Sequence, residues 1–249
     1  MDIIMMDFKI NSQPNDESCG PTCLHAIYQH YGLDISYEEV ASEVESFLSG
    51  GTVAPMLGKH ALQLGFKAAL YVNNLQLYDP TWFNSDGSSN TDVLREMLMQ
   101  QMRYKRNQYL ARGTHAVLDF LTLGGTIYFR CLTAEILKEY FARQTPILAG
   151  LSSTYLYNCS RELFNKEGKS RSDNIRGRPC GHFVILCGYN QKHRLVVVAD
   201  PYKKNPVSGD NYYTVSIHRL INAIMLGVVT RDGNLLIIEP KNAYATKTK

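Results

Sequence analysis

Two short segments of the chain contain the residue types that a cysteine nucleophile requires. The first carries an amide and a thiol, Gln13 and Cys19, in the run Gln-Pro-Asn-Asp-Glu-Ser-Cys-Gly-Pro. The second carries an imidazole and a carboxylate, His182 in Gly-His-Phe-Val and Asp200 in Val-Ala-Asp-Pro. A reacting thiolate needs a base to hold its proton, a group that orients the base and a donor for the developing oxyanion. These side chains therefore predict thiol-dependent acyl chemistry.

The residues around Cys19 predict a helix that begins at the cysteine itself. Residues 16–18 are typical of a helix N-cap, and Gly32 is typical of a helix end. At the first turn, unpaired N–H groups and the positive end of the helix dipole face the sulfur and favour its thiolate form. The backbone N–H of Cys19 can donate to an oxyanion, and the side-chain amide of Gln13 can supply a second donor.

His182 and Asp200 are far apart in the chain, but a hairpin would bring them together. Residues 182–188 and 194–200 are apolar and predict two strands joined by a tight turn. In such a hairpin the start of the first strand lies opposite the end of the second. A carboxylate there can accept from one imidazole nitrogen and support the charged form of the ring. The alternative is an ordinary strand-end histidine beside a turn acid.

Other cysteines and histidines are interpreted as structural. Cys23 lies one helical turn after Cys19 among apolar residues, which is typical of a small buried thiol. The remaining histidines lack a comparable context: His25, His30, His60, His115, His193 and His218.

A substrate cleft is expected between the helix that begins at Cys19 and the strand that carries His182. Its candidate substrate-binding residues are Trp82, Tyr155 and Gly181, although ordinary packing also explains the aromatic residues around them. The polar loop 158–181 is predicted to be mobile, and a lid is one interpretation of it. Arg176 and Arg178 in that loop could steer an acidic substrate or simply be solvated.

These motifs together resemble the papain-like cysteine peptidases. More closely, they resemble the bacterial domain that cleaves double-glycine leader peptides, and its stand-alone relatives. The resemblance implies a papain-like fold and hydrolysis of a peptide or peptide-like amide bond through an acyl-thioenzyme. It assigns the nucleophile to Cys19, the general base to His182, the orienting acid to Asp200 and an oxyanion donor to Gln13. The matching motifs lie within residues 13–201.

The chain departs from that family in one visible respect. A long segment separates the cysteine motif from the histidine motif, and residues 73–122 are interpreted as an extra helical element within it. This arrangement is more typical of the stand-alone relatives than of the leader-cleaving domain, which is fused to a transporter. The resemblance does not identify the substrate.

Two other functions remain open from the sequence. The same residues could pass an acyl group to an amine or a thiol, as in phytochelatin synthase, because the choice of acceptor depends on water exclusion and pocket shape. A catalytically silent module that retains the fold as a peptide-binding groove is the third hypothesis. The presence of all the expected catalytic groups argues against that one.

The pattern of elements predicts an α+β fold: an N-terminal helical part packed on an antiparallel sheet. We expect a single papain-like peptidase domain over 1–249, with a helical part at about 13–145 and a sheet part at about 146–240. Residues 241–249 are predicted to be a flexible tail. A weak alternation in residues 2–10 predicts an edge strand, and residues 91–121 predict a long helical segment divided at Gly113.

Composition limits the other classes of function. The net charge of the 249-residue chain is +3, which indicates neither a nucleic-acid partner nor a membrane surface. There is no apolar run long enough for a membrane span and no signal-peptide pattern at the N-terminus, so we expect a cytoplasmic protein. The six cysteines are therefore expected to be free thiols. Neither a cofactor nor a metal is predicted, and the oligomeric state is not predicted.

Overall fold

The computed structural model describes residues 3–47, 51–164, 170–231 and 233–241. The helices of this part are α1 (Cys19–His30), α2 (Tyr37–Glu43), α3 (Ala54–Gln63), α4 (Thr91–Tyr104), α5 (Gln108–Thr122), α6 (Ala134–Ala142), α7 (Ser153–Tyr157) and α8 (Ile217–Gly227). The strands are β1 (Ile3–Met5), β2 (Phe66–Val72), β3 (Thr126–Tyr128), β4 (Ile147–Ser152), β5 (Glu162–Phe164), β6 (Ser170–Ser172), β7 (Gly181–Asn190), β8 (Leu195–Ala199), β9 (Tyr212–Ser216) and β10 (Asn234–Pro240). Short 3-10 turns follow β2 (Pro80–Trp82) and α8 (Val228–Thr230).

One large sheet organises the described residues. Its strand order is β3-β2-β10-β4-β7-β8-β9, and β1 pairs with the distal end of β7. All neighbouring strands are antiparallel except β2 and β3, which run parallel. The last strand, β10, lies between β2 and β4, so the C-terminal part of the chain joins early and late segments into one sheet.

Helices cover the sheet, and their apolar residues form its core. Helix α1 packs against β7, whereas α3 packs against β2, β10 and α5; α8 packs against β4. Close approach at α3 depends on Gly58, since an added Cβ would lie 2.6 Å from Phe120 of α5 and 3.2 Å from Leu236 of β10. The helix that carries the candidate nucleophile is therefore held to the sheet directly and through α3.

Several local expectations are confirmed by the structure. The helix predicted to begin at Cys19 is α1, and β1 is the expected edge strand near the N-terminus. Ser36 and Glu39 also have the sequence spacing of a capping box, and helix α2 begins with one: the side chain of each residue accepts from the backbone N–H of the other. The strands around residues 182–188 and 194–200 form the hairpin of β7 and β8.

The predicted division of the long helical segment was wrong. Gly113 lies within α5, and the break falls at residues 105–107 instead. Asn107 accounts for the break, because its backbone and side-chain oxygens accept from the N–H groups of Ala111 and Leu110 and so begin the next helix. The loop 158–181 also contains a small hairpin of β5 and β6. Parts of two predicted segments, 165–169 of that loop and 242–249 of the tail, lie outside the described residues.

The observed architecture confirms the predicted α+β class. The nucleophile candidate lies at a helix N-terminus and the histidine and acid candidates lie on the mainly antiparallel sheet. Strands β2 and β3, which belong to the predicted helical part, enter the same sheet as the later strands. None of the helices in the described residues is both long enough and apolar enough to cross a membrane.

Candidate active site

Cys19 is the first residue of α1 and is half-buried. Ser18 occupies the N-cap position, yet its side chain makes no capping bond to the helix. Instead its hydroxyl donates to the carbonyl of Asn15 at 2.9 Å, which fixes the loop before the helix. The early N–H groups of an α-helix have no intrahelical acceptor, so the N–H of Cys19 is available to an incoming oxyanion.

Two contacts fix the position of α1 beside Cys19. An added Cβ on Gly20 would lie 2.5 Å from Thr52 Cγ2 and 3.3 Å from a Leu57 methyl group, so only glycine fits this approach to α3. One turn into the helix, the Cys23 thiol donates to the carbonyl of Phe183, 3.4 Å away on β7. The residue that follows His182 is thus bonded to the helix that begins at Cys19.

The β7–β8 ladder brings His182 and Asp200 together as the hairpin predicts. Ile185 pairs with Ala199, and Asp200 follows β8 directly. Nε2 of His182 donates to Oδ1 of Asp200 across 2.8 Å. Asp200 is fully buried and His182 is 7% exposed, so the pair is shielded from water.

Cys19 and Asp200 both act on the charge of His182. Burial alone would lower the pKa of the imidazole, but the Asp200 carboxylate and the hydrogen bond and charge of Cys19 raise it to about 10. Because Nε2 is bonded to Asp200, Nδ1 is the ring nitrogen left to face the sulfur. The geometry therefore favours an imidazolium between a carboxylate and a sulfur.

Two tyrosines that the sequence analysis did not single out hold the carboxylate. The hydroxyl groups of Tyr157 and Tyr213 donate to Oδ2 of Asp200 at 2.7 and 2.8 Å. The backbone N–H of Tyr202 donates to Oδ1 at 2.8 Å. Burial alone would raise the pKa of Asp200, but the charge of His182 and the bonds from His182, Tyr157 and Tyr202 hold it below its ordinary value. The acid is thus kept ionised although it is buried.

Gln13 is tied to both halves of the site. Its backbone N–H donates to the carbonyl of Pro201 at 2.8 Å, next to Asp200. Its side-chain Nε2 donates to the carbonyl of Asn15 at 2.8 Å, which leaves a second hydrogen on that nitrogen. Its Oε1 is buried and has no hydrogen-bond partner within the described part of the chain. The side-chain amide of Gln13 is therefore held in one orientation, and the second N–H of its Nε2 can still donate a hydrogen bond.

The predicted substrate-binding residues occupy different places. Gly181 is exposed, directly precedes His182 and pairs with Ser152. Tyr155 lies on α7, where the Arg219 guanidinium sits 5.2 Å from its ring centroid. Trp82 lies in the turn after β2, and β10 and β4 separate β2 from β7. The structure thus places Gly181 at the start of the strand that carries His182, whereas Trp82 lies beyond two intervening strands of the sheet.

Two of the residues interpreted as structural, Cys23 and His60, are buried. Burial, followed by the charges of Cys19 and Asp200, raises the pKa of Cys23 well above its usual range, so this thiol is not a competing nucleophile. His60 is buried between the Tyr28 hydroxyl at 2.8 Å and the Glu43 carboxylate at 3.1 Å. All six cysteines are free thiols. Arg176 of the polar loop forms an ion pair with Asp173.

Comparison with known protein families shows the family to which the chain belongs. The model of the Peptidase_C39 like family matches residues 5–220, which include both the cysteine motif and the histidine and aspartate motifs. The chain belongs to the Peptidase_C39 like family. No curated protein sequence matches the chain. The membership confirms the expected relationship to papain-like cysteine peptidases, and with it a cysteine peptidase activity.

Solved structures of similar proteins include three with peptidase names. A protein described as a C39-like peptidase from Bacillus anthracis is 13% identical, with 97% of this chain and 99% of that chain covered and a TM-score of 0.44. The peptidase domain of Streptococcus ComA, a bi-functional ABC transporter involved in quorum sensing, is 13% identical, with coverage of 94% and 99% and a TM-score of 0.40. Xylellain, a cysteine protease from Xylella fastidiosa, is 13% identical, with coverage of 97% and 87% and a TM-score of 0.43.

Proposed function

We propose that this member of the C39-like family hydrolyses a peptide, or a peptide-like amide, with Cys19 as nucleophile. His182 is the general acid and base, Asp200 orients His182, and the Cys19 N–H and the Gln13 side-chain amide receive the oxyanion. The observation that carries the proposal is the 2.8 Å bond from His182 Nε2 to buried Asp200, which leaves Nδ1 as the ring nitrogen for the hydrogen bond between His182 and Cys19.

The first half of the reaction forms an acyl-thioenzyme. The Cys19 thiolate attacks the scissile carbonyl carbon, and the carbonyl oxygen takes the negative charge between the two N–H donors. The tetrahedral intermediate then breaks its C–N bond. The imidazolium of His182 delivers its Nδ1 proton to the departing amine, which leaves as a neutral product. Asp200 keeps Nε2–H directed away from the sulfur during both steps.

The second half returns the enzyme to its starting state. Water attacks the thioester carbon while neutral His182 takes a proton from it, and the thiolate is expelled as the carboxylic acid forms. Asp200 supports the imidazolium that results, because the fully buried carboxylate keeps its two tyrosine donors and its backbone donor throughout. The imidazolium and thiolate are then ready for another substrate.

Gly181 suits a role beside the scissile bond. It is exposed, immediately precedes His182 and has no side chain, so a substrate backbone can approach β7 at this point. Tyr155 lies nearby on α7 and is 36% exposed, which makes its ring available to a side chain of the substrate. We assign these two residues to the rim of the cleft, and Trp82 to its distant end.

A peptide-library digestion tests the proposal. Wild type and Cys19→Ala are incubated with a mixture of short peptides, and the products are identified by mass spectrometry. Loss of the nucleophile should reduce cleavage by at least about 10³-fold. Cys131→Ala is the matched control, because Cys131 is an exposed thiol and its loss should leave cleavage unchanged. Products that carry an added amine would indicate acyl transfer, whereas free carboxylates indicate hydrolysis.

Thiol alkylation provides a second measurement that needs no substrate. Iodoacetamide should label Cys19 much faster than Cys23 or Cys187, which are buried. In His182→Ala the preference for Cys19 should fall, since the imidazolium that supports the thiolate is gone. Cleavage that persists in Cys19→Ala, or uniform slow labelling of every thiol, would contradict the proposed roles.

A further inference from the structure

A cavity opens at the same end of the sheet as His182. It has a volume of about 630 Å³, within the range of sites that hold small ligands or parts of peptides. Its floor is formed by the end of β2 and the start of β10, and its walls are formed by the beginnings of α3 and α5. Neither Cys19 nor His182 lines it, so the catalytic groups do not account for it.

The lining of this cavity is apolar below and cationic at the rim. Leu70, Val72 and Val117 are fully buried or nearly so and form part of its floor and wall. Exposed Lys105 and Arg106, in the break between α4 and α5, lie at its edge. Among the described residues that line it, there is no Asp or Glu. Its charge therefore complements an acidic ligand with an apolar body.

One buried polar atom in the cavity lacks a partner. Asn234 is 8% exposed and lines the cavity, and its Oδ1 is buried with no hydrogen bond among the described residues. A buried acceptor without a partner costs about 1–3 kcal/mol. Such an atom is satisfied when a ligand supplies an N–H or O–H. A peptide backbone N–H is a donor of the required kind.

The cavity is connected to the catalytic residues through two elements. Asn234 pairs with Gly150 of β4, and Gly150 pairs with Phe183 of β7, next to His182. Two steps across a sheet correspond to about 10 Å, which an extended peptide covers in roughly three residues. On the helical side, Thr52 contacts Gly20, and the next residue, Val53, lines the cavity.

We infer that this cavity is a specificity subsite for an acidic, apolar stretch of the peptide substrate, about three residues from the scissile bond. The apolar side chain lies on Leu70 and Val72, an adjacent carboxylate faces Arg106, and a backbone N–H donates to Oδ1 of Asn234. This inference rests on the proposed peptidase function, and it names the class of peptide that the same site accepts.

Matched peptides test the inference. The library digestion first supplies a cleavage site. Two series of peptides contain that site, one with the test residues before the scissile bond and one with them after it. In each series, Leu-Asp or Leu-Lys lies about three residues from the scissile bond. Wild type should cleave the Leu-Asp peptide with a kcat/KM about 10-fold higher. Arg106→Glu should reverse that order, whereas Arg103→Glu, an exposed charge change that lies outside the cavity lining, should leave it unchanged.

Asn234→Leu tests the buried acceptor. This variant should raise KM for both peptides several-fold without changing kcat, and the rate at which iodoacetamide labels Cys19 should stay as in wild type. Equal kcat/KM values for the Leu-Asp and Leu-Lys peptides, on both sides of the scissile bond, would overturn the subsite. A preference that is unaltered by Arg106→Glu, or KM values that are unaltered by Asn234→Leu, would overturn it as well.

Binding to the inactive Cys19→Ala protein separates the subsite from the chemistry. The anisotropy of fluorescently labelled Leu-Asp peptide should rise on binding, and Arg106→Glu should weaken that binding about 10-fold. If wild type cleaves no peptide but this binding is found, the proposed hydrolysis fails and the subsite stands. If wild type cleaves peptides but binding shows no dependence on Arg106, the subsite fails and the hydrolysis stands.

Discussion

At the scale of single residues, the charge on His182 is set by opposing influences. Burial disfavours the imidazolium, whereas Asp200 and Cys19 favour it strongly enough to raise the pKa to about 10. In the proposed mechanism the protonated ring is the acid that releases the amine, so its charge should control the alkaline side of the pH profile. A group with a raised pKa keeps its proton at neutral pH and loses it only as the pH rises through that value.

Asp200→Asn should therefore shift the alkaline limb of activity. In wild type, kcat/KM should stay level through neutral pH and fall as the pH approaches about 10. Without the carboxylate, the pKa of His182 should fall toward the ordinary value of about 6.5, and the limb should move at least one pH unit lower. Profiles of kcat/KM against pH for both proteins measure the shift. An unmoved limb would show that Asp200 does not support the imidazolium.

Local sequence motifs predicted some residues of the candidate site but not others. Cys19, His182 and Asp200 were predicted because each lies in a short recognisable segment, and the structure brings them together. Tyr157 and Tyr213 were not singled out, because their hydroxyls meet Asp200 only after α7 has packed against β7 and β9 has paired with β8. Nothing in the local sequence of either tyrosine indicates this contact. Donors to a buried carboxylate are selected by tertiary structure.

At the scale of elements, one of the two contacts that position α1 is the close approach of Gly20 to Thr52, just before α3, and to Leu57 within it. Gly20→Ala would place a methyl group 2.5 Å from Thr52 Cγ2, and overpacking of this kind costs about 1–3 kcal/mol. Because Gly20 follows Cys19, any adjustment of the helix start also moves Cys19, the proposed nucleophile. We expect lower unfolding free energy in urea and a lower kcat. Thr52→Ser removes the clashing methyl, retains the hydroxyl and should restore much of both.

Gly113→Ala is the control for that substitution. Gly113 lies within α5, and an added Cβ there meets no atom within 4 Å. Alanine is favoured over glycine in a helix interior by about 0.5–1 kcal/mol, so this variant should be slightly more stable than wild type. If Gly20→Ala were equally stabilising and fully active, the contact between α1 and α3 would not position Cys19.

Elements with local signals were predictable, and those without them were not. The spacing of Ser36 and Glu39 predicts the start of α2, because a capping box depends only on residues close in the chain. The break between α4 and α5 was missed because Gly113 is tolerated inside α5, while Asn107 begins that helix with its own oxygens. A glycine is a weak stop signal when the helix around it packs well.

At the scale of the whole molecule, the central position of β10 unites the early and late strands in one sheet. The apolar residues of β10 are typical of a strand, but no local feature indicates that it lies between β2 and β4. This placement joins the strands of the predicted helical part to the hairpin that carries His182. A strand in the centre of a sheet contacts both neighbours and the covering helices, so pairing across distant parts of the chain is settled by packing rather than by propensity.

Because β10 connects both halves, we expect the chain to unfold in one transition. Trp82, the single tryptophan, reports on residues 73–122, and far-UV circular dichroism reports on all elements. The urea transitions measured by these two probes should coincide.

Leu236→Ala removes a fully buried side chain that packs on Gly58 and should lower the free energy of unfolding by about 2–5 kcal/mol, shifting the transitions of both probes together. Leu226→Ala, at a 43% exposed position, should shift neither appreciably. An earlier fluorescence transition would mean that residues 73–122 unfold separately, contrary to a single domain.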